Sequence, residues 1–106
     1  MTTQNPIVLL PGWGFTPAVW APLMAAFMAK GVAQESICTP GLPLDTFDLD
    51  TILNTLSASL PQRMHLIGWS LGGELALALA NRCPDRFASF TLIATTPCFM
   101  NREAWS

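Results

Sequence analysis

The sequence predicts an α/β fold in which a parallel sheet is covered by helices on both faces. Apolar β-rich runs alternate with helical patterns, in the order strand, helix, strand, helix, strand, helix, strand. That alternation is typical of parallel strands joined by right-handed helical crossovers. Hydrophobic residues make up 51% and charged residues 11% of the 106 residues, which suits strands buried on both faces. The length allows one domain with one core.

The first strand is predicted over "IVLL", residues 7–10, because Pro-Gly ends this short apolar run. A helix is expected after Thr16-Pro17, since proline is favoured in the first turn of a helix. Pro22 is compatible with that helix only if the helix proper begins just before it. Gly31 is placed to be the C-terminal cap. The apolar stripe of this helix consists of Trp20, Leu23, Met24 and Phe27.

The second strand is predicted, more weakly, over residues 34–39. The helix after it is expected to be capped by Asp48 or Asp50 and to stop at Pro61. Its apolar side is formed by Leu49, Ile52, Leu53 and Leu56.

The predicted order is completed by a third strand over residues 64–69, a third helix over 71–82 and a fourth strand over 87–94. Pro84 lies just past the end of the third helix. The residues after the fourth strand show no clear periodicity.

The junction between the third strand and the third helix reads Gly68-Trp69-Ser70-Leu71-Gly72, the G-x-S-x-G pattern of a nucleophile elbow. In such an elbow the serine is held on a very sharp strand-to-helix turn. The serine therefore needs neighbours without side chains two positions before it and two positions after it. The turn lifts the hydroxyl clear of the sheet, and the helix dipole favours negative charge at the first amides of the helix. The alternative is an ordinary glycine-rich turn or a phosphate cradle, although the spacing matches neither the P-loop nor the dinucleotide fingerprint.

A second glycine-bracketed turn, "LLPGWGF" over residues 9–15, directly follows the first strand. In a parallel sheet this turn opens at the same edge as the elbow. We therefore predict the backbone N–H of Trp13 as one donor to an oxyanion and that of Leu71 as the other. The alternative is a plain turn around a buried tryptophan.

These motifs resemble those of α/β-hydrolases and, more narrowly, of the pimeloyl-ACP methyl ester esterases of biotin synthesis. The shared features are the "GWG" turn, the "GWSLGG" elbow and a "PCF…R…W" segment. Here that segment is Pro97-Cys98-Phe99, Arg102 and Trp105. Pro11 is a departure, because many family members have histidine there. The resemblance covers the N-terminal part of the family's fold, so residues 1–106 are expected to form a partial α/β-hydrolase sheet of about four strands without the lid domain.

The resemblance implies a serine carboxylesterase in which Ser70 is the nucleophile and Trp13 and Leu71 are oxyanion and substrate-contact positions. The elbow glycines are Gly68 and Gly72. The implied substrate is a small ester or an acyl ester on the acyl carrier protein, namely the methyl ester of pimeloyl-ACP. No cofactor and no metal are implied.

The acid and the histidine of the family's triad follow the serine in the order Ser, Asp, His, and the sequence is expected to stop before both. His65 is the only histidine. It precedes Ser70 on the same strand by roughly 16 Å, at about 3.3 Å per residue, whereas a general base must lie within about 3 Å of its proton or one water away. We expect His65 to be structural. Asp45, Asp48 and Asp50 are expected to be turn and cap residues, and Glu103 has no histidine to orient.

Two hypotheses therefore stand. The chain is the front part of a serine carboxylesterase, or it is a truncated or non-catalytic fragment that is inactive alone or is completed by a partner chain. In the second case the last strand would be an unprotected sheet edge.

Composition argues against other classes of function. The net charge of −2, without a basic patch, gives no electrostatic support for binding nucleic acid. The longest nearly apolar stretch, residues 20–29, is too short to cross a bilayer, and no signal peptide is expected. Cys38, Cys83 and Cys98 form neither a C-x-x-C pair nor a zinc pattern. Reduced thiols in a cytoplasmic protein are expected.

Overall fold

Four parallel strands form one sheet in the computed structural model, which describes residues 5–45 and 48–93. They lie in the spatial order β2-β1-β3-β4. Their bounds are Ile7–Leu10 for β1, Ile37–Cys38 for β2, Met64–Trp69 for β3 and Phe87–Ile93 for β4. Leu10 pairs with Gly68, so the two central strands end side by side. The chain segments that follow β1 and β3 therefore leave the sheet next to each other.

Helices cover both faces of this sheet, as the sequence predicts. They are α1 (Ala21–Ala29), α2 (Leu49–Ser59) and α3 (Leu71–Arg82). Successive strand residues point to opposite faces. Val8 packs with α2 and α3, whereas Leu9 packs with side chains of α1. Within the described ranges, none of these helices is long and apolar enough to cross a membrane.

The start and the end of α1 follow from a proline and a glycine. A 3-10 turn over Pro17–Trp20 precedes the helix. Because α1 begins at Ala21, Pro22 lies in its first turn, where the missing N–H costs no hydrogen bond. Gly31 has a φ of 96°. The N–H groups of Gly31 and Val32 donate to carbonyls of the last turn at 3.0 and 3.1 Å, which is a Schellman cap.

Two predicted features differ from the structure. The predicted strand over 34–39 is shorter, because Gln34–Ser36 forms a 3-10 turn and only Ile37–Cys38 pairs with β1. The 3-10 turn limits β2 at its start, and Pro40, which has no N–H to donate to a ladder, lies two residues after its end. Leu49 is 52% exposed rather than part of the apolar side of α2, because it is the first residue of the helix and the core begins one turn later. The buried positions of α2 are Ile52, Leu53 and Leu56.

The guanidinium of Arg86, directly before β4, connects that strand to the C-terminal end of α2. The half-buried side chain donates hydrogen bonds of 2.6–3.3 Å to four carbonyls and one hydroxyl. The acceptors are the carbonyl oxygens of Ser57, Leu60, Pro61 and Gln62 and the hydroxyl of Ser57. A helix end presents unsatisfied carbonyls and partial negative charge, which a cation complements. This contact therefore ties the start of β4 to the segment that connects α2 with β3.

Candidate active site

Ser70 forms the turn between β3 and α3 with a strained backbone. Its φ is 55° and its ψ is −116°, and it is the one non-glycine residue with positive φ in the described part of the chain. Such backbone conformations cost about 1–3 kcal/mol and persist where contacts with the surrounding structure hold them in place. Here the N–H of Ser70 donates to the carbonyl of Ile93 at 3.0 Å, and its carbonyl accepts the N–H of Glu74 at 3.1 Å. The sheet and the helix thus hold the serine from both sides.

The two motif glycines are required by the close approach of α3 to the sheet. A Cβ on Gly68 would lie 2.6 Å from the Cα of Gly73. A Cβ on Gly72 would lie 2.5 Å from the carbonyl oxygen of Pro11 and closer still to that of Leu10. Real Cβ atoms essentially never show contacts under 3.0 Å. Any side chain at either position would therefore push the helix away from the strands at the point where the chain reverses.

The loop after β1, residues 11–15, passes directly beside the serine. A Cβ on Gly12 would lie 3.4 Å from the Cβ of Ser70 and 3.3 Å from the indole ring of Trp69. Because β1 and β3 are parallel neighbours, the loop and the turn meet at the carboxyl edge of the sheet. The arrangement agrees with the predicted proximity of the two glycine-rich turns.

A tight β-turn forms the centre of this loop. The N–H of Phe15 donates to the carbonyl of Gly12 at 3.2 Å, and Gly14 at the third position has a φ of 77°, as in a type II turn. The described peptide bonds are trans. The carbonyl of Gly12 points into the turn, so the N–H of Trp13 on the same peptide points away from it. Trp13 is 61% exposed, so the alternative of a turn around a buried tryptophan is wrong.

An aromatic pair joins the loop to the strand before the serine. The rings of Phe15 and Trp69 lie 4.7 Å apart between centroids and are tilted by 55°. Trp69 is half-buried and packs against the core formed by Leu9, Trp20 and Ile37. Sequence reasoning assigned no role to Phe15. The available signal was an aromatic residue placed directly after a glycine-bracketed turn.

Leu71 is the first residue of α3, which begins directly after Ser70. The first four N–H groups of a helix have no acceptor within the helix, and the dipole adds positive charge there. The backbone of Leu71 therefore belongs to a position that suits an oxyanion. The side chain packs partly against the core on the α2 and α3 face.

His65 lies at the opposite end of β3 from the serine. It pairs with Ile7, the first residue of β1. Its Nδ1 is hydrogen-bonded to the hydroxyl of Ser89 at 2.7 Å. The expectation that His65 is structural agrees with this position.

The acidic residues named from the sequence occupy turns and helix starts. Asp45 is exposed in the loop after β2. Asp48 is the N-cap of α2, and its carboxylate accepts a hydrogen bond from Thr51 at 2.5 Å. Asp50 forms an ion pair with Arg82 of α3. Several predicted residues lie outside the described ranges: Ala94, Pro97, Cys98, Phe99, Arg102, Glu103 and Trp105.

Metal-binding side chains do not converge in residues 5–45 and 48–93, where no group of three or more His, Cys, Asp or Glu could hold an ion. Cys38 and Cys83 are half-buried and carry free thiols.

Sequence comparison gives a consistent set of relatives. Residues 7–105 match the model of the alpha/beta hydrolase family. A pimeloyl-[acyl-carrier protein] methyl ester esterase of Aeromonas hydrophila is 38% identical over 96% of this chain and 42% of its own length. An esterase of the same name from Nitrosomonas europaea is 33% identical over 98% of this chain and 43% of its own length. The chain therefore spans less than half the length of these relatives.

A solved structure shares the fold. The crystal structure of a PytH variant superposes with a TM-score of 0.66 at 22% sequence identity, over 89% of this chain and 41% of that chain. The similarity supports the same arrangement of strands and helices in both proteins.

Proposed function

Since the chain belongs to the alpha/beta hydrolase family, we propose that it carries the nucleophile and the oxyanion-binding segments of a serine carboxylesterase. The observation that supports this most directly is the backbone of Ser70. A φ of 55° on a serine between a strand and a helix is a costly arrangement. Strain of this kind clusters at active sites, where it presents a side chain for reaction.

The proposed reaction has two steps. The hydroxyl oxygen of Ser70 attacks the ester carbonyl carbon while a histidine removes its proton, and the alcohol leaves with a proton from that histidine. Water then attacks the acyl-serine by the same route and releases the carboxylic acid. The N–H groups of Trp13 and Leu71 stabilise the oxyanion in both steps. His65 lies too far along β3 to act, so the histidine and its acid are supplied from outside these residues.

The proposed substrate is the methyl ester of a pimeloyl group on an acyl carrier protein, as in biotin biosynthesis. This substrate is the one stated in the names of the two esterase relatives. Three exposed hydrophobic side chains at the carboxyl edge of the sheet suit a hydrocarbon chain beside the ester. They are Trp13, Phe15 and Ile93, with 61%, 53% and 42% exposure.

The test is hydrolysis of methyl pimeloyl-ACP by the full-length gene product, with the free acid on the carrier detected by mass spectrometry. Ser70→Ala is expected to reduce turnover by at least about 1,000-fold, since it removes the nucleophile. Ser59→Ala, which changes an exposed serine on α2, is the matched control and should retain activity. Equal activity in Ser70→Ala and the wild type would contradict the proposal. Comparison with free methyl pimelate tests the carrier preference.

A second candidate is a non-catalytic chain, or one completed by a partner chain. The position of His65 favours it for a product consisting of these residues alone, because no other histidine is present. The intact mass of the native gene product separates the two. A mass more than twice that of these residues is expected for the esterase, given 42% coverage of the Aeromonas relative. A mass equal to that of these residues would favour the second candidate.

A further inference from the structure

We propose that Phe15 is a positioning residue that acts through Trp69: the ring pair holds the β1 loop closed, so that the Trp13 N–H, the proposed oxyanion donor, keeps its orientation. The inference rests on the proposed function and names a part of its machinery that the family match does not assign. It is carried by the ring contact of Phe15 with Trp69 and by the close approach of Gly12 to Trp69 and Ser70.

The loop needs an external support because of its composition and exposure. Trp13 stands between Gly12 and Gly14, and glycine is the residue with the greatest backbone freedom. A Cβ on Gly14 would meet no atom within 4 Å, so this part of the turn projects into open space. The side chain of Trp13 is largely exposed and does not anchor the loop in the core.

The indole of Trp69 supplies that support at both ends of the turn. Its ring carbons lie 3.3 Å from a Cβ placed on Gly12, the first turn residue. Phe15, the fourth turn residue, packs on Trp69 with a centroid distance of 4.7 Å, within the range that aromatic pairs favour. The indole also packs against the buried core on the α1 face. The indole therefore contacts Phe15 and lies beside Gly12, the two residues whose hydrogen bond closes the β-turn.

The orientation of the Trp13 N–H depends on that closure. The peptide between Gly12 and Trp13 carries both the carbonyl that accepts the Phe15 N–H and the N–H proposed for the oxyanion. If Phe15 lost its hold on Trp69, the turn could open and this peptide could rotate. Oxyanion donors must lie about 2.7–3.1 Å from the charge that develops, and a displacement of about 1 Å can cost about 100-fold in rate. Binding of the uncharged ester depends much less on this donor.

The experiment measures kcat and KM of the full-length gene product with p-nitrophenyl butyrate. Active sites are titrated with a fluorophosphonate, so that kcat refers to intact enzyme. Phe15→Ala is expected to lower kcat by about 10- to 100-fold with KM within about twofold of the wild type. Phe15→Tyr keeps the ring and should restore kcat to within about twofold. Leu49→Ala is the matched control, because Leu49 is 52% exposed and Phe15 53%.

A trifluoromethyl ketone gives an independent measure, since it forms an oxyanion on the serine. Its affinity should fall in parallel with kcat in Phe15→Ala. The positioning role is overturned if kcat of Phe15→Ala stays within twofold of the wild type. It is also overturned if KM rises at unchanged kcat, because Phe15 would then contact substrate. Turnover that is absent from the wild type, or unaffected by Ser70→Ala, overturns the proposed function and the positioning role together.

Discussion

Replacing Ser70 by glycine is expected to leave the protein more stable than replacing it by alanine, although both changes remove the proposed nucleophile. The reason is the backbone conformation, with φ at 55° and ψ at −116°. A Cβ is disfavoured there, and glycine has none. Both variants lose the hydroxyl, so its loss cancels in the difference between their free energies of unfolding.

The size of that difference follows from two opposing terms. Strain of this kind is worth about 1–3 kcal/mol. Glycine also gives the unfolded chain more conformational freedom, which lowers the stability of the Ser70→Gly protein by about 0.4–1 kcal/mol. The Ser70→Gly protein should therefore be more stable than the Ser70→Ala protein by about 0.5–2 kcal/mol. For a urea m-value of about 2 kcal/mol/M, the midpoint would differ by about 0.3–1 M.

The assay is equilibrium urea unfolding of the full-length gene product, with both variants required to show the same m-value. Thr55 supplies the control, because it is exposed in the middle of α2. The Thr55→Gly protein should be less stable than the Thr55→Ala protein by about 0.5–1 kcal/mol, which is the opposite order to that expected at Ser70. If Ser70→Gly were no more stable than Ser70→Ala while Thr55 behaved as expected, the interpretation of a strained serine would be refuted.

Two further changes test the packing around the site. Gly72→Ala should destabilise the protein by about 3 kcal/mol or more, because the new Cβ would overlap backbone carbonyls at the end of β1. The control is Gly41→Ala, which has open space around it and should change the thermal midpoint little. Similar thermal midpoints for the two variants would contradict the close approach of α3 to the end of β1. Arg86→Met should lower the free energy of urea unfolding by about 2–3 kcal/mol through loss of charged hydrogen bonds to the end of α2. Arg86→Lys should fall between Arg86→Met and the wild type, and a neutral Arg86→Met would show that water replaces these bonds at no cost.

The sequence by itself determined most of the elements, because their signals are local. Apolar runs bounded by proline and glycine predicted β1, β3 and α3 with the bounds observed. The placement of Pro22 in the first turn of α1 followed from steric rules that act within one helical turn. The G-x-S-x-G spacing singled out Ser70 because a sharp strand-to-helix turn excludes side chains at fixed offsets.

The tertiary structure decided what depends on contacts between distant segments. The short β2 and the exposed Leu49 depend on which neighbours lie beside them, and local periodicity does not contain that information. The strand order brought the β1 loop against the turn that holds Ser70, and it placed Phe15 on Trp69. A pattern of apolar residues predicts that side chains will be buried. Only the packed fold specifies which side chain touches which, because close packing joins residues that the sequence keeps far apart.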